Sequence, residues 1–323
     1  MRFIIYGIGA IGGTFAAALA REGHEVVGIA RGQMLAAIRQ NGGLTFRTVG
    51  GTHLVKFDMV AEPGDISFRP DDAIFLCMKG QDTVEALDAL RAAGVTTQAI
   101  VCAQNGVNNE RAALRLFPNV YGMTVMLPAD YLVAGEVACY GTPKYGICDL
   151  GRYPNGLDDT VAQMAAALDS ANLAATPMAH VMRSKYGKLI ENLGNVVEAA
   201  LGPGNKSEQV MTAVRDEAKA VYQASGIEWI DIGGHPPRRQ GVMEMGPVEG
   251  AQRTGGSSTQ SLKRGTGSIE TDYLNGEVAL MGRLAGLPVP FNTALVAISR
   301  ELIETGAKPG SMTEAELVAR LGL

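Results

Sequence analysis

The pattern of hydrophobic and polar positions divides the chain into a strand-rich first half and a mostly helical second half. Short apolar runs predict strands at 3–6, 25–30, 52–60, 73–78, 99–103, 120–126, 136–140 and 145–150. Small-residue or amphipathic stretches predict helices at 14–20, 85–93 and 157–171. The strand signals nearly stop after Thr176, which places a domain boundary near residue 178. This order predicts an α/β domain with a mostly parallel sheet, followed by a helical domain.

The first strand leads directly into a glycine-rich turn, which consists of Gly7, Ile8, Gly9, Ala10, Ile11 and Gly12. In a strand-turn-helix unit, the first glycine permits the tight turn, the second lets the backbone approach a pyrophosphate, and the third lets the helix pack closely. The helix N-terminus then faces the phosphates. A secretory signal peptide ending near Ala20 is the alternative interpretation, but the second strand completes the βαβ unit that a dinucleotide site requires.

The end of the second strand indicates which dinucleotide is bound. A cofactor with a free 2'-hydroxyl usually meets an acidic side chain there, whereas this chain has Arg31 followed by Gly32. A guanidinium can pair with a 2'-phosphate, so Arg31 favours NADP(H). The alternative is a solvated arginine that opens the next helix.

Two later loops also follow predicted strands. Lys79 comes after the strand at 73–78, and Asn105 comes after the strand at 99–103, in the sequence Gln104-Asn105-Gly106. The carboxyl ends of parallel strands line the ligand crevice of such a sheet, so both residues are candidates to contact the cofactor. A surface lysine and an Asn-Gly turn are the simpler alternatives.

Composition and charge exclude several classes of partner. The chain has 323 residues, 46% of them hydrophobic, and a formal net charge of -5 without a basic block. These values predict two globular domains and disfavour nucleic acid or an anionic membrane as partner. No apolar run reaches the roughly 18 residues of a spanning helix. The four cysteines lack metal-type spacing, so we expect buried thiols in a reducing cytoplasm and no metal site.

A helix predicted over 185–195 carries a row of polar groups. Lys188, Asn192 and Asn195 stand at i, i+4 and i+7, which would place one ammonium and two carboxamides on the same face. Apolar neighbours suggest that most of this helix is buried. Buried polar groups need hydrogen-bond partners, and a substrate is one such partner.

Six separated motifs together resemble the ketopantoate reductase family, the NADPH-dependent 2-dehydropantoate 2-reductases. They are the glycine turn, Arg31, the Lys79 loop, the Gln-Asn-Gly loop, the helix from Lys188 to Asn192, and the segment from Ser257-Ser258 through Glu270 to Gly276. The resemblance implies an NADP-binding Rossmann-type domain over 1–178 and an all-α substrate-binding domain over 179–323, similar to 6-phosphogluconate dehydrogenase. It implies reduction of 2-dehydropantoate to pantoate, towards pantothenate and coenzyme A.

The resemblance also implies roles for single residues. Lys188 matches the proton donor, Asn192 and Ser258 match substrate binders, and Glu270 matches the acidic residue that joins the cofactor and substrate sites. Lys79 and Asn105 match residues that contact the cofactor. Asn105 also matches a residue that contacts the substrate. The chemistry agrees, because reduction of a 2-oxo acid builds negative charge on the carbonyl oxygen, which an ammonium can stabilise and protonate.

The chain departs from the family pattern inside the polar helix. The family has a second asparagine four residues after the one at Asn192, but that position is Val196, and Asn195 lies one place early. A deletion of one residue would restore the register and would bring Asn205 onto another family asparagine. Asn195 and Asn205 are therefore retained as candidate substrate contacts.

A second departure is the segment 226–256, which is longer than the family pattern. It places His235, Arg238 and Arg239 around Pro236-Pro237. A loop of this length is often a lid or a disordered insert, and its cations could hold a second carboxylate of a larger substrate. A solvated surface loop is the simpler alternative.

The residues leave two other functions open. One is a reductase of the same family acting on a different 2-oxo acid, and the other is a non-catalytic NADP-binding sensor, which the complete set of candidate site residues disfavours. The oligomeric state is also open, with a homodimer as one outcome. The closing segment predicts a capping box from Ser311 to Glu314 and a helix through Leu321, for packing or dimer contact.

Overall fold

The structure, a computed structural model, describes residues 1–232, 239–265 and 267–323. These residues form two compact units. The first contains residues 1–104, 109–185 and 239–253, and the second contains 105–108, 186–232 and 254–323 apart from residue 266. Of the candidate cations in the long segment, His235 and Arg238 lie outside the described residues, as does Pro236-Pro237.

The strands of the described residues belong to the first unit. They are β1 Arg2–Tyr6, β2 Val26–Ile29, β3 Leu44–Thr48, β4 Gly51–Val55, β5 Asp58–Val60, β6 Asp72–Leu76, β7 Ala99–Cys102, β8 Val120–Met126, β9 Ala129–Tyr131, β10 Glu136–Cys139, β11 Gly141–Pro143, β12 Gly146–Arg152, β13 Leu173–Pro177 and β14 Met243–Met245. The main sheet has eight strands in the order β13-β12-β8-β7-β6-β1-β2-β5.

The main sheet is largely parallel, and β12 runs antiparallel to β8. Every residue of β1 and β6 is buried, as expected for strands that helices cover on both faces. The chain starts at β1, adds β2 and β5 on one side, and returns to β6 and β7 on the other. Ligands of such sheets bind where the strand order reverses, outside the carboxyl ends of the strands. The prediction of a Rossmann-type α/β domain is confirmed.

The helices of the first unit alternate with these strands. They are α1 Ala10–Arg21, α2 Gly32–Asn41, α3 Thr83–Ala92, α4 Asn109–Leu114 and α5 Asp159–Ser170. Helix α1 buries Phe15, whose ring makes an edge contact with Phe75 of β6 at 5.8 Å between centroids. The residues with the outline of a signal peptide thus form an inner strand of the main sheet and the first helix of this unit.

A second sheet, in the order β4-β3-β10-β9, corrects two sequence predictions. The strand at 136–140 does not extend the main sheet, and the predicted strand at 52–60 is two strands, one in each sheet. The small residues of α1 explain this position of β10. A Cβ at Gly13 would lie 2.9 Å from Cγ1 of Val137 in β10, so glycine allows the second sheet to approach the helix.

Part of the long segment 226–256 also joins the first unit. Strand β14 pairs antiparallel with β11, with Gly141 opposite Met245 and Pro143 opposite Met243. The sequence did not indicate this strand. Trp229, in the same segment, is half-buried.

In its described residues, the second unit is helical. Its elements are α6 Val181–Asn192, which begins in the first unit, and α7 Asn195–Leu201, α8 Glu208–Ala224, α9 Ser257–Arg264, α10 Asn275–Leu284, α11 Pro290–Glu304 and α12 Glu314–Leu321. The prediction of a helical second half is confirmed in this unit.

The single helix predicted over 185–195 is wrong. Helix α6 ends at Asn192, and α7 begins at Asn195 after the intervening Gly194. A Cβ at Gly194 would lie 2.6 Å from Cε of Met211, so the absence of a side chain lets α8 pack against this break. Lys188 and Asn192 share one helix, whereas Asn195 starts the next.

The last helix is capped two residues later than predicted. Thr313 is the N-cap of α12, its Oγ1 accepts from the backbone N of Glu316 at 3.3 Å, and the Glu316 carboxylate accepts from the backbone N of Thr313 at 2.8 Å. The capping box predicted from Ser311 to Glu314 is therefore wrong in register. Glu314 is the first helical residue instead.

The cysteines are free thiols, and all except the half-buried Cys77 are buried. Burial raises the pKa of Cys139 and of Cys148 to about 12, so their reactive thiolate forms are scarce near neutral pH. Within the part of the chain that the structure describes, no helix is both long and apolar enough to cross a membrane.

Candidate active site

The turn after β1 has the geometry that its glycines predict. Gly7 has a φ of 101°, and a Cβ there would lie 2.8 Å from the backbone N of Met78. A Cβ at Gly12 would lie 2.1 Å from the carbonyl oxygen of Gly7, so α1 packs on the turn more closely than a side chain allows. At Gly9, a Cβ would have no atom of the described residues within 4 Å. Gly9 therefore borders open space that phosphates can enter.

The start of α1 complements this space electrostatically. The helix begins at Ala10, its first turn contains no acidic residue, and no described side chain caps it. Backbone N–H groups at a helix start lack intrahelical partners and carry partial positive charge. The turn and the helix start therefore fit the pyrophosphate of a dinucleotide.

Arg31 lies just beyond β2 and is the N-cap residue of α2. Its guanidinium donates to Oε1 of Glu85 at 3.1 Å and to the hydroxyl of Tyr6 at 3.5 Å. The hydrogen bond to Glu85 is the main cause that raises the pKa of Arg31. The ion pair is exposed, with 61% of the Arg31 and 75% of the Glu85 side chain accessible. Exposed pairs are worth little, so a phosphate can compete with Glu85 for the guanidinium.

Lys79 lies beyond the carboxyl end of β6. It is half-buried and precedes a short 3-10 helix, Gly80–Asp82. Burial raises the pKa of Asp82, and the positive charge of Lys79 opposes this effect. Lys79 thus brings a cation to the loop after the strand that neighbours β1.

Asn105 follows β7 in a turn that its glycine neighbour makes possible. Asn105 is half-buried, and Gly106 has a φ of 82°, which lets the chain reverse. The strands β7, β6, β1 and β2 are consecutive neighbours in the main sheet. Their carboxyl ends are followed in the chain by the predicted cofactor residues Asn105, Lys79, Gly7 and Arg31.

In the second unit, Lys188 and Asn192 lie one turn apart on α6, which places them on one face of the helix. Lys188 is half-buried, and Asn192 is 6% exposed. The Nδ2 of Asn192 has no hydrogen-bond partner among the described residues. A buried donor left unpaired costs about 1–3 kcal/mol, which a ligand with an acceptor oxygen would recover.

Ser258, the second residue of α9, is 1% exposed. Its Oγ also lacks a hydrogen-bond partner in the residues that the structure describes. The neighbouring Ser257 Oγ accepts from Nδ2 of Asn195 at 3.3 Å, so the starts of α7 and α9 lie side by side. Glu198 holds the loop before α9, because its Oε2 accepts from the backbone N of Gly256 at 2.9 Å.

Glu270 is 7% exposed and begins a short 3-10 helix, Glu270–Tyr273. Asn275 then starts α10, and its Nδ2 donates to the carbonyl oxygen of Leu193 at 3.2 Å. Leu193 directly follows Asn192, so Asn275 connects the end of α6 with the start of α10. The sequence motif contained Asn275 but gave no sign of this contact.

Asn205 has a different environment. It is exposed, and its Nδ2 donates to the carbonyl oxygen of Leu201 at 2.9 Å, at the end of α7. Arg239, the candidate cation of the long segment that is described, is half-buried in the first unit. Its Nε has no hydrogen-bond partner within the described ranges.

A glycine turn shaped for a pyrophosphate is a feature of dinucleotide-binding proteins, and a half-buried lysine in the helical unit adds a group able to protonate a reduced carbonyl. This combination is typical of a nicotinamide-dependent oxidoreductase. The chain belongs to the ketopantoate reductase family: residues 3–155 match Ketopantoate reductase PanE/ApbA, and residues 170–303 match Ketopantoate reductase PanE/ApbA C terminal. The family resemblance of the sequence motifs is confirmed.

Individual relatives match over nearly the whole chain. A 2-dehydropantoate 2-reductase of Pyrococcus horikoshii is 26% identical over 95% of this chain and 100% of its own length. One of Mesorhizobium japonicum is 27% identical over 95% and 99%. The crystal structure of a PanE/ApbA family ketopantoate reductase from Ralstonia eutropha JMP134 superposes with a TM-score of 0.76 at 28% identity, covering 95% of this chain and 99% of that one. A D-mandelate dehydrogenase with NADH and anilino(oxo)acetate shares the fold, with a TM-score of 0.75 at 20% identity and coverage of 95% and 99%.

Proposed function

We propose that the protein reduces 2-dehydropantoate (ketopantoate) to pantoate with NADPH, a step of pantothenate biosynthesis. The relatives named above support the substrate, because both curated enzymes are 2-dehydropantoate 2-reductases. Arg31 supports NADPH over NADH, since its exposed guanidinium follows β2 where the 2'-position of the adenosine ribose is recognised in Rossmann-type sheets.

The observation that carries the proposal is that Asn192 and Ser258, both matched to substrate binders by the sequence motifs, are among the buried side chains with an unpaired polar atom in the described part of the unit that contains Lys188. Asn192 Nδ2 and Ser258 Oγ are both buried without a hydrogen-bond partner in the described part of the chain. Folded proteins rarely leave such groups unsatisfied unless a ligand, water or ion completes them. A 2-oxo acid presents a carboxylate and a carbonyl, which accept hydrogen bonds from these donors.

Each residue then has a defined task in the reduction. Asn192 and Ser258 donate hydrogen bonds to oxygens of the keto acid and orient its C2 carbonyl. The Lys188 ammonium donates to the carbonyl oxygen, stabilises the negative charge that grows there, and releases its proton to form the 2-hydroxyl. Glu270 pairs with Lys188 and fixes its direction.

When bound, NADPH supplies the hydride that adds to C2 of the keto acid. The turn around Gly9 and the start of α1 bind its pyrophosphate, and Arg31 pairs with its 2'-phosphate. Lys79 and Asn105 contact the cofactor in the loops after β6 and β7. In this proposal, Asn105 also contacts the substrate. Asn195 supports the substrate site through its hydrogen bond to Ser257, the neighbour of Ser258.

A panel of 2-oxo acids tests the proposed function. We expect the highest kcat/KM with 2-dehydropantoate, measured by NADPH absorbance. The matched comparison is 3,3-dimethyl-2-oxobutanoate, which has the same branched carbon but lacks the terminal hydroxyl. Efficient turnover of other 2-oxo acids without turnover of 2-dehydropantoate would contradict the substrate assignment.

The same panel decides between the two remaining functions. A family member with a different substrate would prefer another acid, and phenylglyoxylate is included because D-mandelate dehydrogenase shares the fold. A non-catalytic sensor would bind NADPH and turn over none of the panel.

Arg31→Ala is expected to remove the preference for NADPH over NADH. Hydrogen bonds to charged groups contribute about 1.5–3 kcal/mol, so the ratio of the two kcat/KM values should fall on the order of 10- to 100-fold. Glu85→Gln is the matched control, because it removes the partner of Arg31 and leaves the guanidinium in place. The ratio in this control should equal or exceed that of the unmodified protein, and an unchanged ratio in Arg31→Ala would refute the role of Arg31.

A further inference from the structure

A second lysine, three residues before Lys188 on α6, is buried inside the first unit. Lys185 is 2% exposed. Its Nζ donates to the carbonyl oxygen of Cys102 at 3.2 Å, to that of Gln104 at 3.0 Å, and to the carboxylate of Glu110. An ammonium has three N–H donors, so these contacts use all of them. Lys185 therefore has no donor left for a substrate.

The two carbonyl groups belong to the segment that leads into Asn105. Cys102 is the last residue of β7, and Gln104 immediately precedes Asn105. The Gln104 side chain is also fixed, since its Nε2 donates to Oγ1 of Thr83 at 2.8 Å. Lys185 thus holds the backbone on both sides of Ala103, where the strand becomes the turn that carries Asn105.

The environment of the Glu110 carboxylate shows that burial of this ion pair costs free energy. Glu110 is completely buried, and burial raises its pKa while the charge and hydrogen bond of Lys185 oppose that effect. A Cβ at Gly122 of β8 would lie in ordinary contact, at 3.5 Å, with both Glu110 Oε1 and Lys185 Cδ, so β8 packs directly against the pair. Buried ion pairs seldom stabilise a fold more than apolar residues of similar size do. A gain in folding stability is therefore a weak explanation for the presence of this ion pair.

We propose that Lys185 is a positioning residue that fixes the Gln104–Gly106 turn and thereby the amide of Asn105. The inference rests on the proposed function, in which Asn105 contacts the cofactor and the keto acid. Glu110 supplies the counter-charge that keeps the ammonium between the two carbonyl groups. Without Lys185, the turn can shift by a fraction of an ångström, which is enough to misplace a binding amide.

The test uses a double variant, Lys185→Met with Glu110→Leu. Lys185→Met alone leaves a buried carboxyl group without its partner, and its melting temperature should fall. The double variant removes both charged groups and should recover much of that loss. Its kcat/KM for the keto acid should nevertheless stay on the order of 10-fold below that of the unmodified protein.

Asn105→Ala shows whether Lys185 acts through Asn105. In the unmodified background it should lower kcat/KM, whereas in the double variant it should add little further loss, because residues that act through one another are not additive. An equal loss in both backgrounds, or unmodified kinetics in the double variant, would overturn the proposal. Lys185→Arg is a second variant that keeps a positive charge beside Glu110, and it should still lose efficiency, because the planar guanidinium cannot reproduce the three contacts of the ammonium.

The chain offers a matched control in another buried ion pair of the same unit. Arg2 Nε donates to Oδ1 of Asp72 at 2.8 Å, at the amino ends of β1 and β6 and thus at the opposite edge of the sheet. Arg2→Met with Asp72→Leu should leave kcat/KM unchanged.

If the unmodified protein reduces no 2-oxo acid, the proposed function fails. The effect of Asn105→Ala in the two backgrounds is then measured as the change in the Kd for NADPH. If Asn105→Ala weakens NADPH binding equally in both backgrounds, the positioning role of Lys185 is overturned by this measurement as well.

Discussion

Lys188→Ala is expected to lower kcat for 2-dehydropantoate by about 10²-fold or more, while NADPH still binds. The ammonium meets full negative charge on the carbonyl oxygen only as the hydride is transferred, so its loss acts mainly on the transition state. Lys188 is half-buried, and we expect the variant to fold. The measurements are kcat and KM, the Kd for NADPH by fluorescence, and the melting temperature.

Two further variants identify what Lys188 contributes. Lys188→Arg keeps the positive charge, but a guanidinium hardly releases its proton, so it should restore at most a small part of the turnover. Lys206→Ala removes an exposed lysine from the same unit and should leave kcat unchanged. If Lys188→Ala retains the turnover of the unmodified protein, Lys188 is not the acid.

Gly9→Ala and Gly12→Ala should separate cofactor binding from folding within one turn. Gly9 has an extended backbone conformation with a negative φ of -99°, and its new methyl group would enter open space. We expect an unchanged melting temperature and an NADPH Kd raised about 10-fold or more, because the methyl group occupies the approach of the pyrophosphate.

At Gly12, the new methyl group would overlap the carbonyl oxygen of Gly7, and α1 would have to move. Overpacking of this kind costs about 1–3 kcal/mol, so the melting temperature should fall together with NADPH affinity. Thermal unfolding with and without NADPH measures both effects. Normal NADPH affinity in Gly9→Ala would show that the phosphates do not pass this residue.

Much of the fold could be predicted because local patterns determine it. The glycine turn specifies its own strand, turn and helix, and the uninterrupted apolar runs of β1 and β6 are typical of strands buried on both faces. The sequence analysis missed the break after Asn192, although Gly194 stands there, because a single glycine inside an apolar helical pattern does not by itself end a helix. The place of β10 likewise depends on the small-residue face of α1 rather than on its own sequence.

The candidate site also has residues that could be predicted from the sequence and a residue that could not. Lys188, Asn192 and Ser258 were identifiable from motif and spacing, and the burial of Asn192 and Ser258 follows from packing that the sequence only suggested. The role of Lys185 was not visible, because its partner Glu110 and the two carbonyl groups lie more than 70 residues away in the chain. Contacts between a side chain and distant backbone carbonyls leave no residue pattern to detect.

Isotope transfer tests the central claim most directly. The purified protein is incubated with 2-dehydropantoate and NADPH carrying deuterium at both C4 positions, and the product is analysed by mass spectrometry and NMR. Direct hydride transfer predicts pantoate with one deuterium, located at C2, formed in equal amount to the NADPH consumed. Absence of labelled pantoate while another 2-oxo acid is reduced and labelled would contradict the proposed activity.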